Sequence, residues 1–258
     1  MSRLSGKVAL ISGGAGAMGS AIARRFAETG ASVVVADLKL SDAEDVVRRL
    51  PLAGGSAKAA MLDVTDEESW DAALEAVRSL GPLDTLVNNA GVVSPENQDF
   101  WEIDLKEWRR VMAVNLDGAF LGTRAAIRAM RDRGTGSIVN IASIAAFFGT
   151  TKAAAYSTSK GGVRAMTLQA AMSCASAGYK IRVNSIHPGP VWTPLISDKA
   201  ARYGGGAEMA RQSLTDANPL KELVEPDDVA WAAVYLASDE SRRVTGSDLV
   251  VDAGRLLV

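Results

Sequence analysis

The sequence of 258 residues predicts one α/β domain spanning 1–258, a doubly wound parallel sheet of about seven strands with helices on both faces. Three observations lead there. Short apolar runs alternate with stretches of helical periodicity from end to end, and such runs read as strands buried on both faces. The first run opens into the glycine cluster Gly13, Gly14, Gly16 and Gly19, followed by a helix and a second strand. No repeat and no linker divides the chain.

Residues 7–12 form the first strand, and the helix from Ser20 to Thr29 carries Ile22 and Phe26 on one face. Gly30 stops it, and residues 31–36 make a second strand ending at Asp37. In such a unit the glycine turn lets the backbone approach a pyrophosphate at a helix N-terminus. Asp37, 18 residues after Gly19, stands where a carboxylate meets ribose hydroxyls. A helix over about 42–50 stops at Pro51, and residues 57–62 form a third strand ending at Asp63. Two readings of Asp63 stand: contact with an adenine edge, or a bond to the following turn. Thr65-x-x-Glu68 reads as a capping box for a helix running to about Leu80.

The fourth strand, 83–87, enters Asn88-Asn89-Ala90-Gly91, a run suited to a ligand crevice at the C-terminal end of a strand. One helix is expected from about Leu105 through Met130. Asn115 lies inside it, although asparagine competes there for backbone hydrogen bonds. Residues 137–142 form a fifth strand ending at Ser143. A long helix runs to about Ala177, and 181–186 is a sixth strand ahead of the rigid turn His187-Pro188-Gly189-Pro190. Residues 191–216 read as an irregular, mobile substrate lid. Pro226 opens a helix to about Ala237, and residues 248–252 close the sheet. Trp108 and Trp231 are expected in the core.

Composition narrows the chemistry. The net charge of −2 suggests neither nucleic acid nor an anionic membrane as partner. A single cysteine, Cys174, fits a reducing compartment and reads as a packed, unreactive thiol. One histidine and one cysteine cannot build a usual zinc site, so no metal is expected. The short N-terminal apolar run cannot form a signal-peptide core, and no run approaches the ~18 apolar residues of a membrane span. The expectation is a cytoplasmic protein.

One pair of side chains carries the expected chemistry. Tyr156 and Lys160 are four residues apart on a helix, so a phenol and an ammonium share one face. A cation nearby favours the phenolate, which makes the pair a candidate proton donor and acceptor for an alcohol or carbonyl oxygen.

With these residues together, the chain resembles the short-chain dehydrogenase/reductase family from end to end. The matches are Ser12-Gly13 through Gly19, Asp63-Val64, Asn88 to Gly91, Asn115, Ser143, Tyr156 to Lys160, and Pro188-Gly189 with Thr193. The stretch from Cys174 to Thr193 looks most like hydroxysteroid and secondary-alcohol dehydrogenases. The resemblance implies a Rossmann-like fold and an NAD-dependent interconversion of a secondary alcohol and its ketone. Its catalytic residues would be Ser143, Tyr156, Lys160 and Asn115, the last positioning a water beside Lys160. The cofactor would lie on Ser12, Gly13, Gly16, Ala17, Met18 and Gly19, with Asp37, Leu38, Asp63 and Val64 at its adenosine end. Asn89, Ala90, Gly91, Tyr156, Lys160, Pro188, Gly189, Val191 and Thr193 complete that set. Phe147, Phe148 and Trp192 are candidates for an apolar substrate pocket, and each aromatic could equally be core. The family also implies a homotetramer.

Ala17 departs from the family pattern, falling on its middle glycine. Either its methyl crowds the pyrophosphate or the turn shifts to use Gly14-x-Gly16-x-x-Gly19. His187 reads as structural or pocket-lining. Two rival readings remain at this level: an NADPH-dependent carbonyl reductase, and a non-catalytic dinucleotide-binding sensor. Basic residues that would mark NADPH are absent at Gly16 and Leu38.

Overall fold

The computed structural model describes residues 2–93, 99–149, 153–193, 196–197 and 206–258. Its strands are β1 (Val8–Ser12), β2 (Ser32–Asp37), β3 (Ala57–Met61), β4 (Thr85–Asn88), β5 (Thr135–Ile141), β6 (Lys180–Pro188) and β7 (Asp248–Val251). They form one seven-stranded sheet in the order β3-β2-β1-β4-β5-β6-β7, every pair parallel. The order reverses between β1 and β4, which opens a crevice at the C-terminal ends of those two strands.

The helices are α1 (Ala17–Glu28), α2 (Leu40–Val47), α3 (Glu67–Arg78), α4 (Leu105–Met112), α5 (Gly118–Met130), α6 (Ala154–Ser176), α7 (Gly206–Asp216) and α8 (Pro226–Ala237). Alternation along each strand sends its side chains to two cores. Ala9 and Ile11 of β1 join Ile22 and Phe26 of α1, Val46 of α2, and Val229 and Val234 of α8. Val8 and Leu10 join Trp70 and Leu74 of α3, Met130 of α5 and Cys174 of α6. Burial raises the pKa of the Cys174 thiol, which keeps it protonated and inert.

Several local expectations change. Asp66, not Thr65, caps α3, its carboxylate accepting from the Glu68 and Ser69 amides. Thr65 turns back instead, its amide 2.9 Å and its hydroxyl 2.7 Å from Asp63 Oδ1. A carboxylate directly before the helix reaches two free amides, and Thr65 is drawn off by the neighbouring acid. The helix expected over about 42–50 runs from Leu40 to Val47. The stretch 105–130 is helical throughout, but α4 and α5 are joined by a π-helical turn, Ala113–Asp117, which contains Asn115.

Within 191–216, residues 206–216 form α7 rather than an irregular segment, and Val191 pairs with Val224. The rest of the expected lid, 194–195 and 198–205, lies outside the described residues. Trp231 is 40% exposed, with the Arg3 and Arg25 guanidinium groups over its ring, and Trp108 is half-buried; neither is core. Among the described residues no helix is long and apolar enough to cross a membrane.

Candidate active site

The β1–α1 turn carries four glycines, three of which packing demands. Gly13 has φ +61°, and a Cβ there would stand 2.7 Å from Ala90 Cα. A Cβ on Gly14 would stand 2.6 Å from Val35 Cγ1 of β2, and one on Gly19 2.7 Å from Gly14 Cα, with Gly13 O closer still. Around Gly16 the nearest atom to a Cβ is Gly13 O at 3.4 Å, ordinary contact. The glycines that packing demands are therefore Gly13, Gly14 and Gly19. Gly16 is the N-cap of α1, and Ala17 is its first residue.

Ser12 ties this turn to the end of β4. Its Oγ accepts from the Asn89 and Ala90 amides at 3.1 and 3.3 Å, while Asn89 Nδ2 donates to Ser12 O and Gly13 O at 3.1 and 2.8 Å. Above the turn lies a cavity of about 600 Å³ walled by Gly13, Gly16, Ala17, Met18, Asp37, Leu38, Asp63, Val64, Asn89, Ala90, Gly91 and Thr193. Leu62, Val92, Val114 and Asp42 also line it, none of them singled out from the sequence. The Asp37 carboxylate accepts from Ala15 N at 2.9 Å and from Leu38 N at 2.8 Å, so it is fixed at the cavity edge.

This crevice fits a nicotinamide dinucleotide. The N-terminus of α1 has no side-chain cap. Asn89 Oδ1, buried in the wall, has no hydrogen-bond partner, and glycine backbone forms the floor. Together these features offer backbone amides to an anionic group and an acceptor to a hydroxyl.

A second cavity, of about 390 Å³, shares Met18, Asn89, Gly91, Val92 and Thr193 with the first, so the two adjoin. Its walls bring together Ser143 just after β5, Tyr156 and Lys160 from α6, and Pro188 at the end of β6 with Gly189 and Val191 beyond it. Phe148 lines it as well, with Val93, Ile144, Ala145, Pro190 and Ile196. Phe147 and Trp192 do not. Phe147 packs on the His187 ring at 4.7 Å, and Trp192 lies under the Arg211 guanidinium at 5.8 Å. Phe147 and Phe148 follow the 3-10 turn Ile144–Ala146, and of the two it is Phe148 that faces the cavity.

Ser143 caps that turn, its Oγ accepting from Ala145 N at 3.1 Å, and it shares the cavity wall with the Tyr156 phenol, whose pKa it lowers. Lys160 is buried and donates to Ile141 O at 2.8 Å; its Nζ lies 5.7 Å from the Tyr156 ring centre. Burial lowers the Lys160 pKa to about 8 and raises that of Tyr156, a rise that Ser143 partly offsets. In the chain by itself, then, desolvation outweighs the expected help of Lys160 to the phenolate. Asn115 Oδ1 accepts from Val92 N at 2.7 Å, and its Nδ2 donates to Val92 O at 2.9 Å and Ser159 Oγ at 3.0 Å. Its amide thus clamps the loop after β4 to α6, and the π turn is what aims it inward.

A family model described as Enoyl-(Acyl carrier protein) reductase matches residues 13–255. The chain is 40% identical to the NADP-dependent (R)-specific alcohol dehydrogenase of Lentilactobacillus kefiri, over 98% of this chain and 97% of that one. It is 42% identical to the 2,5-dichloro-2,5-cyclohexadiene-1,4-diol dehydrogenase LinX of Sphingobium indicum, again over 98% and 97%. With the 3-alpha-(or 20-beta)-hydroxysteroid dehydrogenase of Mycobacterium tuberculosis it shares 40%, over 98% and 90%. The chain belongs to the short-chain dehydrogenase/reductase family.

Where the chain departs from the pattern of this short-chain dehydrogenase, the structure shows the consequence. Ala17 sits on the first turn of α1 in the cavity wall, and the close backbone contacts are made by Gly13, Gly14 and Gly19. His187 is fully buried behind Ser143 and lines neither cavity. Its neighbours Ser185 and Asp248, and the Arg164 that holds Asp248, carry no local signal in the sequence, because β6, β7 and α6 bring them together only in the fold.

Proposed function

We propose that the protein is an NAD-dependent dehydrogenase interconverting a secondary alcohol and its ketone, with an apolar cyclic, terpenoid or steroid-like substrate. The observation that carries this reading is a Ser143–Tyr156–Lys160 cluster set in the wall of a mostly apolar cavity that adjoins the dinucleotide crevice. When bound, the nicotinamide supplies the hydride chemistry.

The chain's residues supply positioning and the proton. Ser143 Oγ hydrogen-bonds the substrate oxygen and holds the reacting carbon in place. Tyr156, in the same cavity wall as Ser143, takes the alcohol proton in oxidation and returns it in reduction. Lys160 holds ribose hydroxyls from beside Gly91, and Asn115 keeps that corner closed against Val92. Val191 and Thr193 hold the carboxamide, and Asp37 the adenosine ribose. Ile144, Ala145, Phe148 and Ile196 offer apolar surface with few polar groups, which favours a ring system over a charged or sugar-like substrate. The cyclic and steroid alcohols in the names of two relatives support the same class.

Three observations support NAD over NADP. Asp37 is held at the cavity edge, Asp42 adds a second carboxylate, and no Lys or Arg is among the described residues lining it. A 2′-phosphate would meet like charge there. A relative named as NADP-dependent favours the second reading, an NADPH-dependent carbonyl reductase. Turnover of a panel of cyclic, aryl, terpenoid and steroid alcohols with each dinucleotide decides between them. Binding of dinucleotide without turnover of any alcohol or ketone would leave the sensor reading and end this one. A cytoplasmic location belongs to the same proposal.

A further inference from the structure

Behind Ser143, on the side away from the cavity, lies a buried polar chain that the mechanism has not used. His187 is fully buried, and its Nδ1 is 3.0 Å from the Ser143 carbonyl oxygen. A carbonyl only accepts, so Nδ1 carries a proton and donates it. The same carbonyl accepts from Ala146 N at 3.0 Å, which closes the 3-10 turn capped by the Ser143 hydroxyl. On its other edge His187 Nε2 is 2.8 Å from Ser185 Oγ and 3.0 Å from Asp248 Oδ1. Asp248 is held in turn, its Oδ2 accepting from Arg164 Nε at 2.6 Å, and the Arg164 guanidinium lies 4.8 Å from the Phe147 ring that packs on His187.

We propose that His187 is a positioning residue for Ser143. It donates to the Ser143 carbonyl and so fixes the corner from which the hydroxyl reaches Tyr156 and the substrate oxygen, while Ser185, backed by Asp248 and Arg164, holds the imidazole from behind. The inference deepens the proposed function and rests on its assignment of Ser143.

Geometry supports a positioning role over simple core filling. Ser143 leaves β5 and enters a 3-10 turn within one residue, so its hydroxyl direction depends on how the carbonyl on the same residue is held. That carbonyl has two donors, one from its own turn and one from β6. Core filling would need only the volume of the ring. Here Nδ1 donates to the Ser143 carbonyl and Nε2, bare in that tautomer, can accept from the Ser185 hydroxyl at 2.8 Å, while the Asp248 carboxylate beyond is itself tied to α6, the helix that carries Tyr156 and Lys160. Serine and tyrosine are thereby referred to one frame.

The experiment compares His187→Leu, which keeps much of the volume and loses the donor, with His187→Asn, whose side-chain amide can replace the Nδ1 donor. For His187→Leu we expect roughly a tenfold loss of kcat, the scale on which a small misplacement of a reacting group acts, with the dissociation constant for NAD within about twofold of wild type. His187→Asn should recover most of kcat. Equal loss in both variants, a loss shared with NAD binding, or no loss in His187→Leu would overturn the proposal. Ser143→Ala separates the two levels. Wild-type turnover in that variant removes the assignment of Ser143 and the relay with it. Loss there beside a fully active His187→Leu removes the relay alone. If His187→Leu does not fold, judged by circular dichroism and NAD binding, Asp248→Asn replaces it; an unchanged kcat in that variant counts against the relay, and a several-fold loss at constant NAD affinity supports it.

Discussion

At the scale of single residues, Tyr156 stands between two influences. Burial favours its neutral form, whereas the proposed chemistry needs a proton that leaves easily. Tyr156→Phe keeps the ring and removes the group that exchanges the proton, so turnover should fall by about 10²–10⁴-fold at unchanged NAD affinity. Near wild-type rates measured in steady-state assays would exclude the phenol from the reaction. Lys160 gives a test in stability. With a folded pKa of about 8 against 10.5 when free, the ammonium destabilises the folded chain fully below pH 8. Between about pH 8 and 10.5 the unfolded state binds more protons, so this group makes stability rise with pH. Melting curves without cofactor should show that rise in the wild type and a flatter profile in Lys160→Met. Asp37→Ala removes both the proposed ribose contact and the repulsion of a 2′-phosphate. Wild-type protein should prefer NAD by at least tenfold in kcat/KM, about 1.4 kcal/mol, and the variant should lose most of that preference. Equal efficiency with both cofactors before mutation would refute the assignment.

Among the elements, the β1–α1 turn is the most demanding. Gly14→Ala would drive a methyl into Val35 of the neighbouring strand, and Gly19→Ala one into the turn itself. Gly16→Ala meets only ordinary contact. Thermal melting and dinucleotide titration should find Gly14→Ala and Gly19→Ala strongly impaired, with Gly16→Ala close to wild-type stability. The reverse order would mean the turn has another shape. The π turn at Ala113–Asp117 shows a different economy: an irregularity in a long helix puts an amide side chain where it joins the β4 loop to α6. A regular helix through the same residues would change the direction of Asn115 and release Val92.

For the whole molecule, the open question is assembly. Phe120, Leu168 and Met172 on α5 and α6 are exposed, as are Trp231 on α8 and the terminal Leu257 and Val258. Exposed apolar side chains of this size are candidates for burial between subunits. We infer a homotetramer, to be checked by sedimentation at micromolar concentration. Glutamate at Met172 and at Leu168 should shift the population toward smaller species, and a clean wild-type monomer would contradict the inference.

Much of this protein is legible along the chain because the signals are local. Strand, glycine turn, helix, strand and terminal acid follow one another within Lys7 to Asp37, and four-residue spacing alone puts Tyr156 and Lys160 on one helix face. The doubly wound sheet follows from alternation of elements, and its order adds only the position of the crevice. What required the fold is whatever depends on contacts between distant segments. Which glycines of the turn are obligatory was decided by Val35 and Ala90, far from them in sequence. Asp66 displaced Thr65 as helix cap because Asp63 competes for the threonine. Phe147 and Phe148 are indistinguishable by type and neighbourhood, yet one packs on His187 and the other lines the cavity. The sequence determined which groups are available for proton transfer and dinucleotide binding, because residue type and spacing within one element suffice for that. Only the tertiary structure decided how they are aimed and desolvated, since the direction of Ser143 and the burial of Lys160 are set by strands and helices more than a dozen residues away.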